Sequence, residues 1–266
     1  MPEPTGPALD GDARYRSPGR PGAKSGEALA ERIEAEIVEQ GWPVGTLLGT
    51  EPELLERYGV SRPVLREAIR LLEHHMVAEM RRGAGGGLRV RVPDPSMVTN
   101  AAALYLDFKR VRVRQLYSAR ILLEARCVEL AVERLTEEGI AELRAVVERL
   151  RSSDAVQVVE LSHELERLIA DLSGDPVLAL FVKVLLQLAH QHAVPIEERR
   201  ARRRSVYALR DHQVGIAEAI ISGDAPTARL RLVRYLEGAA ASARRRLLAA
   251  AAAGAEPASV RADGIT

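Results

Sequence analysis

The stretch Gly59-Val-Ser-Arg-Pro-Val-Leu-Arg-Glu-Ala-Ile-Arg-Leu-Leu-Glu73 decides how the N-terminal part of this 266-residue chain folds. Gly59 ends a short helix predicted over Glu51 to Tyr58, whose apolar residues are Leu54 and Leu55. Ser61 is a good N-cap, and Pro63 falls in the first turn, where its missing N–H costs little. The helix opened there sets Leu65, Ala68, Ile69 and Leu72 at i, i+3, i+4 and i+7, one apolar face turned toward a core. Arg62, Arg66 and Arg70 recur at four-residue spacing on a different stripe.

Working outward, Leu29, Ile33 and Ile37 predict an amphipathic helix from Ala28 that ends before Gly41. The turn-rich Gly41-Trp-Pro-Val-Gly-Thr46 follows it. On the other side, Val77-Ala-Glu-Met-Arg-Arg82 and Leu88-Arg-Val-Arg-Val92 alternate around Gly83-Ala-Gly-Gly-Gly87, which reads as a glycine-tipped hairpin. Helix, short helix, turn, helix and hairpin within about seventy residues is the order of a winged helix-turn-helix. From Ser61 to Arg91 there are seven arginines against three glutamates, whereas the whole chain carries a net charge of only +1. A local basic face is what phosphate binding needs, and the chain average does not report it.

Hydrophobic residues make up 47% and charged residues 28%, the balance of a folded chain, while aromatics at 3% disfavour a sheet-rich sandwich or barrel. One cysteine, Cys127, excludes an intramolecular disulfide framework and a cysteine-built zinc site. No run of about 18 apolar residues exists, and no secretory signal is visible, so a cytoplasmic protein without membrane contact is expected. Residues 1–24 are rich in Pro and Gly and read as a disordered arm, with Arg14, Arg16, Arg20 and Lys24 either solvated or touching phosphates.

Pro93-Asp94-Pro95 is the clearest break, which sets a DNA-binding domain over 25–92 and a second domain over 93–250. Everything after the break reads as helix, with spans near 96–107, 113–134, 136–152, 155–172, 176–193, 202–222 and 225–250. Seven helices with short links imply an antiparallel bundle, and residues 251–266 read as a flexible tail. The fold class is therefore mainly α: a winged helix-turn-helix with a small β-hairpin wing, then an antiparallel all-α helical bundle.

Arginine suits guanine because its fork bonds O6 and N7 together. The outward face Arg62, Pro63, Arg66 and Arg70 therefore suits a major groove. Ser61, at the helix N-terminus, is placed for a phosphate, and Arg81, Arg82 and Gly83 belong to the wing. At these residues the sequence resembles the GntR family of bacterial transcription regulators, in its FadR-like branch. The resemblance runs from Gly45 through Glu73, centred on Val-Ser-Arg-Pro-x-x-Arg-Glu-Ala, and continues in the wing Arg81 to Val90. It implies base-reading roles for Arg62 and Arg66, a phosphate contact for Ser61 and a wing contact for Arg82. Where the family usually has an arginine in the second helix, this chain has Pro52.

The C-terminal half resembles the FCD-type effector domain at Arg120-Ile-Leu-Leu-Glu124, Leu172-Ser-Gly-Asp-Pro176 and Ala219-Ile-Ile-Ser-Gly-Asp224. That resemblance implies an effector-responsive homodimer on a palindromic operator, acting by family habit as a repressor. Many members hold a metal that binds a carboxylate effector, and the four ligand positions fall on Ser162, Glu166, Gln213 and Tyr235. One carboxylate and no imidazole make a poor transition-metal site, so no metal and no cofactor is expected. His163 and His212 each lie one residue away, a rotation of about 100° on a helix. A metal-free pocket of Ser162, Glu166, Gln213 and Tyr235 is expected instead, with Arg120 either clamping a carboxylate or pairing with Glu124. The implied effector is an acyl-CoA, a fatty acid or another carboxylate.

The alternative is a ligand-binding or enzymatic bundle with a vestigial winged domain. Glu160-Leu-Ser-His163 has the Glu-x-x-His form used in di-iron bundles, but the nearest second unit, Gln187-Leu-Ala-His190, offers an amide. His190 and His192 read as surface or packing residues, and no catalytic triad can be picked out.

Overall fold

The computed structural model describes residues 25–83, 85–154, 157–191 and 203–252. The N-terminal arm, His192 and most of the C-terminal tail lie outside the described residues. The chain separates into two compact units, Met1–Asp94 and Pro95–Thr266.

In the first unit, α1 (Ser25–Glu39), α2 (Glu51–Tyr58) and α3 (Arg62–His74) enclose one core. Ile33, Ile37, Leu54, Leu65, Ala68 and Leu72 are all fully buried there. The Glu53 carboxylate accepts the Thr50 N–H at 2.7 Å, fixing the start of α2. Gly59 then takes φ 62° at the C-cap, a left-handed turn that lets α3 start at once on a new axis.

The wing is a three-stranded antiparallel sheet of β1 (Leu47–Gly49), β2 (Ala78–Arg81) and β3 (Gly87–Val90), in the order β1-β3-β2. The sequence predicts only the β2–β3 hairpin, reads Gly41 to Thr46 as turn and assigns nothing to Leu47–Gly49. β1 escapes because it is three residues long, ends in a glycine and is irregular where Leu47 and Gly49 pair with Arg89 and Leu88. Its pairing partner lies some forty residues away, so no local pattern announces it. The Trp42 indole N–H donates to the Arg91 carbonyl at 2.8 Å and ties the stretch before β1 to the strand end.

The second unit is all helix: α4 (Ser96–Phe108), α5 (Val113–Glu133), α6 (Glu137–Ser152), α7 (Gln157–Leu172), α8 (Pro176–Gln191), α9 (Arg203–Ile221) and α10 (Ala225–Ala252). Each helix agrees with its predicted span to within about two residues at every described end. Thr136 caps α6 by accepting the Gly139 N–H at 3.1 Å, and the Asp175 carboxylate accepts the Val177 and Leu178 N–H groups at the start of α8. A continuous core of Leu143, Leu150, Leu165, Ile216, Ile220 and Leu236 fills the bundle. Cys127 is buried as a free thiol. No described helix is long and apolar enough to cross a membrane.

Candidate nucleic-acid interface and core polar site

In α3 the apolar stripe Leu65, Ala68, Ile69 and Leu72 turns into the core, which forces the other stripe outward. Ser61, Arg62, Pro63, Arg66 and Arg70 are all exposed, and so are Arg81, Arg82 and Gly83 in the wing. Ser61 occupies the N-cap position with extended backbone, yet its hydroxyl makes no capping bond, which leaves that oxygen presented at the helix N-terminus. An open cleft of about 670 Å³ lies between α3 and the wing. Arg66, Arg70, Arg81, Arg82 and Gly83 line it together, while Ser61, Arg62 and Pro63 stand at the helix N-terminus beyond its lining.

Two acidic residues on this face were not singled out by sequence reasoning. Glu51, on α2, lies 3.4 Å from the Arg66 guanidinium, and Glu79, on β2, accepts from Arg81 at 2.6 Å. Both arginines are about two-thirds exposed, so water screens these pairs and either cation can exchange its carboxylate for a phosphate or a base edge. The Arg81 hydrogen bond is the largest influence holding the Glu79 carboxyl below its ordinary range. Arg89 is different: its Nη1 and Nη2 donate to the Gly45 and Gly85 carbonyls at 3.1 and 3.0 Å, so it braces the wing. Pro52 stands exposed in the first turn of α2, where it adds no charge to the face.

Within the bundle, α5, α7 and α9 bring three of the expected site residues together. Arg120, Glu166 and Gln213 are 4%, 6% and 1% exposed. The Arg120 Nε donates to Glu124 at 2.6 Å, so the i,i+4 pairing is formed, and Arg120 Nη2 lies 3.4 Å from Glu166. Gln213 Nε2 donates to the same Glu166 oxygen at 3.0 Å. The guanidinium stands over the Tyr117 ring, 5.3 Å from its centre. Despite this company, Arg120 Nη2 is a buried donor with no hydrogen-bond acceptor, because the approach to Glu166 is an ion pair without hydrogen-bond alignment.

Tyr235 is half-buried beside the cluster, its hydroxyl pushed well above the ordinary range first by burial and then by Glu166. Ser162 is buried, but its hydroxyl donates to the Val158 carbonyl of its own helix at 2.6 Å and is not offered to a ligand. Burial opposes the Arg120 charge, yet the Glu124 and Glu166 carboxylates outweigh it and hold the guanidinium charged. Two carboxylates share that one cation. Burial first, and Glu166 next to it, push the Glu124 carboxyl up to about 7 against the pull of Arg120. A cavity of about 10 Å³, space for a single water at most, lies against Glu124, Glu166 and Gln213 with apolar walls of Val128, Ile216 and Leu232.

These residues do not fit the metal that the resemblance implies. Gln213 turns its donor nitrogen, not its lone pairs, toward Glu166, Ser162 is spent on its own backbone, and Arg120 already supplies the cation. Among the described residues no group of three His, Cys, Asp or Glu side chains is disposed to hold a metal. His163 packs edge-on against His190, with ring centres 4.6 Å apart, and burial pulls its pKa down to about 4. Glu160, the other half of the Glu-x-x-His unit, is exposed on α7, away from the buried cluster.

Comparison with known proteins agrees with both halves. Residues 25–87 match the bacterial regulatory proteins of the gntR family, and residues 115–238 match the FCD domain. The chain is 29% identical over 210 residues to the Exu regulon transcriptional regulator of Escherichia coli K12, covering 79% of each protein. It is 27% identical over 184 residues to the transcriptional repressor NanR of Cronobacter sakazakii, covering 66% of this chain and 69% of that one. Among solved structures, Streptococcus agalactiae GntR shares the fold, with a TM-score of 0.62 at 24% identity over 82% of this chain and 99% of the other. With the two domains matched in this order and relatives that are transcriptional regulators, the chain belongs to the GntR family as a transcriptional regulator, not an enzyme.

Proposed function

We propose that this regulator is a repressor that binds a palindromic operator as a homodimer, in the cytoplasm, and leaves it when a small carboxylate enters the bundle core. The observation that supports DNA reading most directly is the exposed stripe Arg62, Arg66 and Arg70 beside the wing arginines Arg81 and Arg82. A helix of this size fills a major groove, and guanidinium forks at its outer face meet guanine edges. Ser61 and Arg82 take phosphate positions in this reading, with Pro63 and Gly83 allowing close approach. Twofold symmetry of the dimer calls for two half-sites spaced by a whole helical turn.

The core cluster of Arg120, Glu166 and Gln213, with Tyr235 at its edge and Ser162 one turn before Glu166 on α7, is the proposed effector site. Its buried charges and its small cavity favour a compact carboxylate over an acyl-CoA, whose chain needs an apolar slot that the closed core does not offer. The test is titration of fluorescent DNA from the chain's own upstream region against scrambled DNA. Retention of the native fragment at protein concentrations that leave the scrambled one free is expected. Equal binding of both removes the sequence-specific reading.

A further inference from the structure

We propose that Glu166 is an internal stand-in for the effector's carboxylate, holding Arg120 until the effector displaces it. The inference rests on the reading of this cluster as the effector site. The guanidinium of Arg120 has two ends in different states. Its Nε is tightly held by Glu124, on the next turn of α5, which fixes the side chain and its direction. Its Nη2 points to Glu166 on α7 but gains no hydrogen bond, although the atom is buried. A buried donor left in this condition is poised to gain when a better acceptor arrives. A carboxylate is that acceptor, since its two oxygens match the planar fork and Nη2 is a charged donor.

The room for it is not free in the closed core, where the cavity is about 10 Å³. Something must move, and Glu166 is the group already in the place of an anion. Its Oε1 is held from the other side by Gln213 on α9, so leaving Arg120 does not strand it without a partner. The Glu166 carboxylate already faces Arg120 as an anion, so an added carboxylate enters most easily once Glu166 has swung away. The exchange is mechanical as well as electrostatic. Glu166 ties α7 to α5 through Arg120 and to α9 through Gln213, and the entry of effector cuts the first tie and keeps the second. A change in how α7 sits against α5 is the kind of helix shift by which a ligand in the core is felt elsewhere.

The test is calorimetric titration of the full chain with acetate, succinate, D-gluconate and octanoate, for the wild type, Glu166→Gln and Arg120→Met. Whichever of these acids binds the wild type is expected to bind Glu166→Gln about tenfold tighter, the gain of roughly one charged hydrogen bond, and to lose binding in Arg120→Met. Glu166→Asp keeps the core charge and draws the carboxylate back by one methylene; it is expected to move in the same direction, and it serves if Glu166→Gln does not fold. Binding that depends on Arg120 but is unchanged or weaker in Glu166→Gln or Glu166→Asp overturns the stand-in role and leaves the effector site standing. Absence of heat with all four acids, in the wild type and in both Glu166 variants, removes the carboxylate site itself and the stand-in with it.

Discussion

At the scale of single residues, arginines of the same chemistry have different roles because of their surroundings. Arg89 donates both terminal nitrogens to backbone carbonyls and braces the wing, whereas Arg66 stands about two-thirds exposed against a single carboxylate. Arg66→Ala is expected to weaken operator binding by about 1–3 kcal/mol and to relax preference at one base pair, read by anisotropy titration against single-base operator variants. Arg82→Ala should instead weaken operator and random DNA alike, and lower the salt dependence of binding by about one unit of slope. A base preference that survives in Arg66→Ala unchanged would assign that residue to the backbone.

In the bundle, two groups titrate against each other. His163, whose ordinary pKa of 6.5 is pulled to about 4, stays neutral when folded, so stability falls as pH drops from about 6.5 toward 4. Glu124, raised from 4.5 to about 7, keeps its proton when folded, so its contribution rises as pH drops through 7 toward 4.5. The two slopes oppose each other over most of that range. His163→Phe removes one of them, so its stability at pH 5 relative to pH 7 should improve on the wild type's by about 1–2 kcal/mol, measured by urea midpoints at the two values. An unchanged difference means that the histidine titrates in the fold as it does in the unfolded chain.

At the scale of elements, the wing joins buried side chains, Leu88 and Val90 among them, to a close backbone approach. A Cβ at Gly87 would lie 2.6 Å from the Gly49 carbonyl oxygen, and its φ of 140° is one that side chains rarely adopt. Gly87→Ala therefore strains the β1–β3 pairing, and a loss of about 1–3 kcal/mol is expected, seen as early melting of the winged unit with the bundle transition in place. Helix α3 depends on burial as well. Leu65 is fully buried on the face opposite the arginines, so Leu65→Ala should cost about 2–5 kcal/mol and abolish DNA binding by unfolding, with circular dichroism reporting the loss.

At the scale of the whole molecule, the proposed repression requires the core site and the winged unit to share one equilibrium. A carboxylate that prefers one bundle state by about 2–3 kcal/mol changes operator affinity roughly 30- to 150-fold, and by reciprocity the operator weakens the carboxylate by the same factor. Titrating an acid from the panel in the presence and absence of saturating operator measures that factor from both sides. Equal affinity in the two conditions separates the core site from DNA binding.

By itself the sequence determined whatever depends on near neighbours along the chain. The spacing of Leu65, Ala68, Ile69 and Leu72 alone orients α3, and so places Arg62, Arg66 and Arg70 on its outer face. Glycine and proline punctuation likewise marks the helices of the bundle. Long-range pairing was beyond it. β1 finds its partner some forty residues on, and Glu51 meets Arg66 only because α2 folds back beside α3. The core site shows the same division: Arg120 with Glu124 is a one-turn pair legible in either of two ways, and only the packing of α5, α7 and α9 set Glu166 and Gln213 beside it. Local patterns follow from backbone geometry that repeats every few residues, whereas charge met across helices follows from how whole faces pack, and no short stretch of chain records that.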